Sequence, residues 1–176
     1  NDVFGTLYGS IAGDVHNLRS LRLGDAVFVN VHPTKGTSLA YERTMNGPGA
    51  DATVVAVGGH FMGINANVAR FEQGNEKSTV LGFNTKLAGN TLTYVHSDDE
   101  GLAKSKGDSF GVSREFGRVT AKASYGKTNT DVKAYAVGAD YAFSKRTSLN
   151  LAYRGVDTAG AAHDVKSVGV GVTHLF

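Results

Sequence analysis

The closing segment constrains this chain more than any other part of it. Val168, Val170, Val172, His174 and Phe176 alternate with Ser167, Gly169, Gly171 and Thr173. Successive side chains of a β-strand point to opposite faces, so this run is an extended strand with one bulky face and one small, polar face. The bulky face ends in an aromatic on the last residue. A wall that meets lipid on one side and water on the other requires this pattern. The same alternation recurs upstream. Leu149, Leu151 and Tyr153 oppose Ser148, Asn150, Ala152 and Arg154. Tyr135, Val137, Ala139, Tyr141 and Phe143 oppose Ala134, Ala136, Gly138, Asp140 and Ala142. Val119, Ala121, Ala123 and Tyr125 oppose Arg118, Thr120, Lys122 and Ser124.

The chain has 176 residues, enough for one domain over 1–176. Only 41% of them are hydrophobic, which suits a membrane barrel because only alternate strand residues face lipid. No stretch approaches the ~18–20 apolar residues of a membrane helix. Glycine is abundant, at 23 residues, while proline occurs twice. The glycines therefore belong to regular structure, where they leave room inside a barrel and allow curvature. Cysteine is absent, which removes disulfides and thiolate metal sites. A formal net charge of +2 is too balanced to indicate nucleic acid. The chain opens at Asn1 with no charged-then-apolar leader. Export would need one, so the expectation is a processed mature form.

Short turns alternate with longer polar stretches. The turns are Met62-Gly63, Ala88-Gly89-Asn90, Phe116-Gly117-Arg118 and Ser144-Lys145-Arg146, and the polar stretches are 44–51, 74–78, 97–108, 126–131 and 157–164. Glycine and asparagine supply the positive φ of tight hairpins. The segments between them make about twelve strands, each near the ~9–11 residues that cross a bilayer at a tilt. The expected fold is all-β: a transmembrane antiparallel up-and-down β-barrel, with both termini on the periplasmic side with the short turns. Around 14–35 the alternation falters, since Asp25 shares a face with Leu21, Leu23, Val27 and Val29. A bulge at Gly24 restores the phase; a loop there lowers the count to ten. Phe61, Phe116, Tyr141, Phe143 and Phe176 fall at the short-turn ends, and Tyr94, Tyr125 and Tyr153 toward the other ends. Two such rows resemble interfacial girdles. A soluble sandwich or barrel, the alternative, places its aromatics mid-strand in a core.

Val137-Gly138-Ala139-Asp140-Tyr141-Ala142-Phe143-Ser144-Lys145-Arg146-Thr147, then Leu149-Asn150-Leu151-Ala152-Tyr153, then 168–176 resemble the general porins of Gram-negative bacteria, in particular the β-proteobacterial and neisserial type. Leu7-Tyr8-Gly9-Ser10-Ile11 is similar to a porin first strand. The resemblance implies a water-filled barrel in the bacterial outer membrane, often oligomeric, passing ions and small hydrophilic solutes. It also implies that Phe176 is the assembly signal read by the barrel-insertion machinery. Family members have more strands in a longer chain and fold an acidic third loop into the lumen. No segment here is long enough for that loop, so the constriction and the trimer are not carried over.

On this register the lumen is lined by Lys86, Arg118, Lys122, Arg154, Arg22, Asp140, Glu42, Glu115 and His60. Charges inside a pore set ion selectivity, and the slight excess of cations implies a weak anion preference. Alternatively, the charges pair and fill the lumen, which makes the chain a structural or docking barrel supporting a partner complex or the envelope. Asp98-Asp99-Glu100 reads as a solvated loop tip rather than a cation site or a contact with lipopolysaccharide head groups. Arg43, Arg70 and Arg114 fall outward, placed to snorkel toward lipid phosphate or to meet another copy. His96 and His174 also face outward, with no outward serine and acidic partner on an identifiable strand pair, so no catalytic residue is assigned. Histidines 16, 32, 60, 96, 163 and 174 show no i, i+2 or i, i+4 ligand spacing. No metal and no cofactor are therefore expected. The expected partners are outer-membrane lipid, lipopolysaccharide and small solutes.

Overall fold

A computed structural model describes residues 26–44, 51–101, 104–160 and 164–175. These residues form one antiparallel sheet in which every strand pairs with its neighbours in sequence. In order the strands are β1 (Ala26–Val31), β2 (Thr37–Thr44), β3 (Ala52–Phe61), β4 (Ile64–Gln73), β5 (Glu76–Leu87), β6 (Asn90–Glu100), β7 (Ser105–Phe116), β8 (Val119–Thr128), β9 (Val132–Ala142), β10 (Thr147–Thr158) and β11 (Val165–His174). This is the expected all-β up-and-down wall. The count is eleven among the described residues, and β1 and β11 form the two edges of the described sheet. Arg22, Gly24, the proposed first strand at 7–11 and Phe176 lie outside the described residues.

The short turns fall where glycine was expected to place them. Met62 and Gly63 have φ of 49° and 81°, and Ala88 and Gly89 have 50° and 77°. Two consecutive positive φ values are what a two-residue hairpin matching strand twist requires. The polar stretches depart from expectation. The expected loops at 74–78 and 97–108 are largely strand: β5 begins at Glu76, β6 runs to Glu100 and β7 begins at Ser105. The Asp98-Asp99-Glu100 loop tip is therefore strand. Asp98 takes a 2.6 Å ion pair from Lys106, and Asp99 accepts a bond from the Ser105 hydroxyl. The ladder continues past the apolar zone because inter-strand pairing satisfies the backbone whether the side chains meet lipid or water.

The register sorts the side chains onto two faces. One carries an unbroken apolar band, typified by the pairings Val29–Tyr41–Val55, Val57–Val68–Leu81, Leu92–Val112–Ala123 and Leu151–Val170. Much of this band is uncovered by protein: Phe110 is 59% and Val168 70% exposed. A band this wide is a liability in water and the natural surface in hydrocarbon. The opposite face carries glycine, alanine, serine, threonine and asparagine. No helix among the described residues is long and apolar enough to cross a membrane.

The aromatics mark the limits of the band. Phe83, Tyr94, Phe110, Tyr125 and Tyr135 pair in one continuous row across β5–β9. Tyr94 and Phe110 meet at a tilt with centroids 4.9 Å apart, and Tyr135 and Tyr153 lie 6.0 Å apart. A second row, with Phe61, Phe116, Tyr141 and Phe143, borders the short turns; the last two rings meet edge-on at 5.1 Å. Phe110 and Phe116 are six residues apart on β7, about 20 Å along the strand. Arg114 lies 5.4 Å over the Phe116 ring, a cation–π contact beside the short turns.

Candidate functional site

Eight of the nine residues expected to line a lumen are described, and all eight lie on the small-residue face. Parity within each strand places Glu42 (β2), His60 (β3), Lys86 (β5), Glu115 (β7), Lys122 (β8), Asp140 (β9) and Arg154 (β10) there. Arg118, in the turn before β8, continues the same side. Arg22 lies outside the described residues. The ladder also carries Glu76 and Asp99 to the loop ends of this face. Reading 74–78 and 97–108 as loops concealed these two. Their phase with Ser78 and Ser97 was the signal that could have found them.

The charges divide into two settings. Lys86, Glu115 and Arg118 are exposed near the short turns. Lys122 and Asp140 are more enclosed, their side chains 13% and 26% exposed, and form a 2.5 Å ion pair. Asp140 also accepts a 2.9 Å bond from the Asn150 amide, whose oxygen accepts one from the Thr173 hydroxyl at 3.1 Å. This chain runs from β8 to β11 across four strands. Such a tie lowers the cost of keeping ions on a partly covered surface. Arg154 stands on β10 opposite Ala136 and Ser167. Nearer the loops the same face is closely covered, and Ser97, Ala134 and Ala136 are fully buried.

At the short-turn end of β2–β5 the face is rich in amides. His60 donates from Nδ1 to Asn65 Oδ1 at 2.7 Å, and the Asn65 amide donates to Asn84 Oδ1 at 2.7 Å. Directly opposed residues on β3, β4 and β5 make this ladder. Beside it lies a cavity of about 560 Å³ whose walls include His32, Lys35, His60 and Asn65.

The apolar face ends in a charged collar above its upper aromatic row. Arg70 donates to Glu72 at 2.8 Å and to the Thr79 hydroxyl at 3.0 Å, and Arg43 pairs with Asp51 at 3.2 Å. Asp108 accepts from the Tyr94 hydroxyl at 2.7 Å and from His96 Nδ1 at 2.9 Å. His96 therefore does have an outward acidic partner, contrary to the sequence reading. The partner comes from β7, at a register the sequence could not supply. Parity places no serine beside His96 on this face; Leu81 and Asp108 flank it. Among the described residues no three or more potential metal ligands cluster.

Comparison with known proteins accords with this architecture. The profile of the Gram-negative porins matches residues 24–175. A search of curated proteins finds no match. Among solved structures, the anion-selective porin from Comamonas acidovorans superposes with a TM-score of 0.73 at 18% identity, over 88% of this chain and 60% of that one. A triple mutant of the Rhodopseudomonas blastica porin gives 0.70 at 18% identity, over 85% of this chain and 54% of that one. These likenesses are of fold, and the chain spans little more than half the length of either.

Proposed function

This chain belongs to the Gram-negative porin family of the bacterial outer membrane, and we propose that it forms a passive channel for ions and small hydrophilic solutes. The observation that carries this reading is the separation of faces. All the described candidate charges share one side of a continuous antiparallel wall, and an unbroken apolar band occupies the other. The small-residue face is then the lumen, and Lys86, Arg118, Lys122, Arg154, Glu42, Glu115, Asp140 and His60 line it. The fold and the family are those of channels rather than enzymes.

A weak anion preference follows from where the charges sit along the strands. Glu76 and Asp99 add negative charge at the loop ends, and the short-turn end is mixed. Midway along, the described candidate charges are the cations Lys122 and Arg154 and the anion Asp140, and charged side chains inside a pore set its ion selectivity. Replacing Arg154 by Glu should move the zero-current potential in a salt gradient toward cations. An unchanged potential in a conducting Arg154→Glu channel would remove Arg154 from the selectivity.

A second reading has its own observation. The closely covered Ser97, Ala134 and Ala136, together with the Lys122–Asp140 tie, suit a filled lumen and a structural or docking role. The surrounding partners in either case are lipid and lipopolysaccharide at the charged collar, further copies of the chain, and the barrel-insertion machinery.

A further inference from the structure

We propose that His32 and His60 together bind one borderline divalent transition-metal ion, of the Cu²⁺, Ni²⁺ or Zn²⁺ class, at the short-turn end of the small-residue face. The two histidines are 28 positions apart, so spacing within one strand could not reveal them. The fold brings both to the wall of one cavity of about 560 Å³. His32 follows β1 and His60 is on β3, so only β2 lies between, and there the small Ser38 pairs with Gly58.

The hydrogen bonds determine which nitrogen each ring presents. His32 Nδ1 lies 3.1 Å from the Thr37 carbonyl oxygen. A carbonyl only accepts, so Nδ1 carries the proton. His60 Nδ1 lies 2.7 Å from Asn65 Oδ1, whose own amide nitrogen is turned to Asn84. Nδ1 is again the donor. In each neutral ring the lone pair is left on Nε2. Metal-binding histidines show this arrangement, with the second nitrogen donating to a carbonyl or carboxylate that orients the ring and raises its basicity.

The connection carrying His32 is held firmly. The Gly36 carbonyl accepts from the His60 backbone N–H at 2.8 Å, and the Thr37 hydroxyl bonds both the Thr34 N–H at 3.1 Å and the Thr34 carbonyl at 3.0 Å. Gly36 has φ +87°, and a Cβ there would meet His60 Cβ at 3.7 Å. The turn is thus seated against His60.

The donor set selects the ion. Among the described residues the cavity lining includes no carboxylate, whereas Ca²⁺ and Mg²⁺ require oxygen ligands. Imidazole suits copper, nickel and zinc. Lys35 also lines the cavity, and its ammonium opposes any cation held by charge alone, so affinity has to come from the two lone pairs. Two imidazoles leave further coordination positions for water or for an anionic group of a solute.

The test is a Cu²⁺ titration of the folded protein in detergent, read by electron paramagnetic resonance. It needs no conduction, so its result is separable from the channel reading. One ion per chain with hyperfine structure from two nitrogens is expected. His32→Ala and His60→Ala should each weaken binding at least about tenfold, while His174→Ala leaves it unchanged. Asn65→Leu should weaken it less, by releasing His60. Lys35→Met should tighten it. A spectrum with one nitrogen, or an affinity unmoved by both histidine variants, would overturn the site.

Discussion

Gly155 lies directly opposite Tyr135 across β9 and β10 on the lipid-side face. A Cβ built there would come within 2.6 Å of the Tyr135 Cε1 and hydroxyl, so the ring lies over the glycine. Gly155→Val must push Tyr135 off this seat and away from Tyr153. Overpacking of this kind costs about 1–3 kcal/mol, and urea unfolding in lipid vesicles should show it; wild-type stability would mean that the ring does not depend on the glycine. Lys122 supports a second expectation. Lys122→Ala leaves a half-buried Asp140 with Asn150 as its remaining partner among the described residues, and a lost hydrogen bond between charged groups costs about 1.5–3 kcal/mol. Much of that loss should return in Lys122→Ala/Asp140→Asn; a double variant no more stable than the single one would show that the pair is not the source. Parity in the sequence showed that Tyr135, Lys122 and Asp140 each had a face. It could not show that Tyr135 meets Gly155 or that His96 meets Asp108, because those contacts depend on the register between strands.

At the scale of the strand, the two faces differ in what they tolerate. Val137 on β9 is an exposed member of the apolar band, paired with Ala123 and Tyr153. Ser113 on β7 belongs to the small face, paired with Thr91 and Lys122. Val137→Arg should destabilise the membrane-folded protein by about 2–4 kcal/mol, the cost of arginine near the bilayer midplane. Ser113→Arg should cost well under half of that. Equal penalties in vesicle refolding titrations would reverse or abolish the assignment of faces. The hairpins at Met62-Gly63 and Ala88-Gly89 were legible because the turn conformation demands particular residues. The strand ends toward the loops were not. Residues 97–100 and 105–108 are polar, as a loop would be, yet they remain in the ladder. Polarity there marks where lipid ends, and backbone pairing extends beyond it.

For the molecule as a whole, the continuous order β1 to β11 and the uninterrupted apolar band require a lipid setting whatever passes along the other face. The wall and its two faces were readable from period-two alternation alone. How open the small-residue face is was not, because closing contacts such as the Lys122–Asp140–Asn150–Thr173 chain join residues from four strands. The most direct measurement is single-channel current from the purified full chain in a planar lipid bilayer under a salt gradient. Discrete conductance steps with a zero-current potential displaced modestly toward the anion are predicted. A folded, membrane-inserted protein that passes no current would contradict the channel and leave the small-residue face as the interior of a filled, structural barrel.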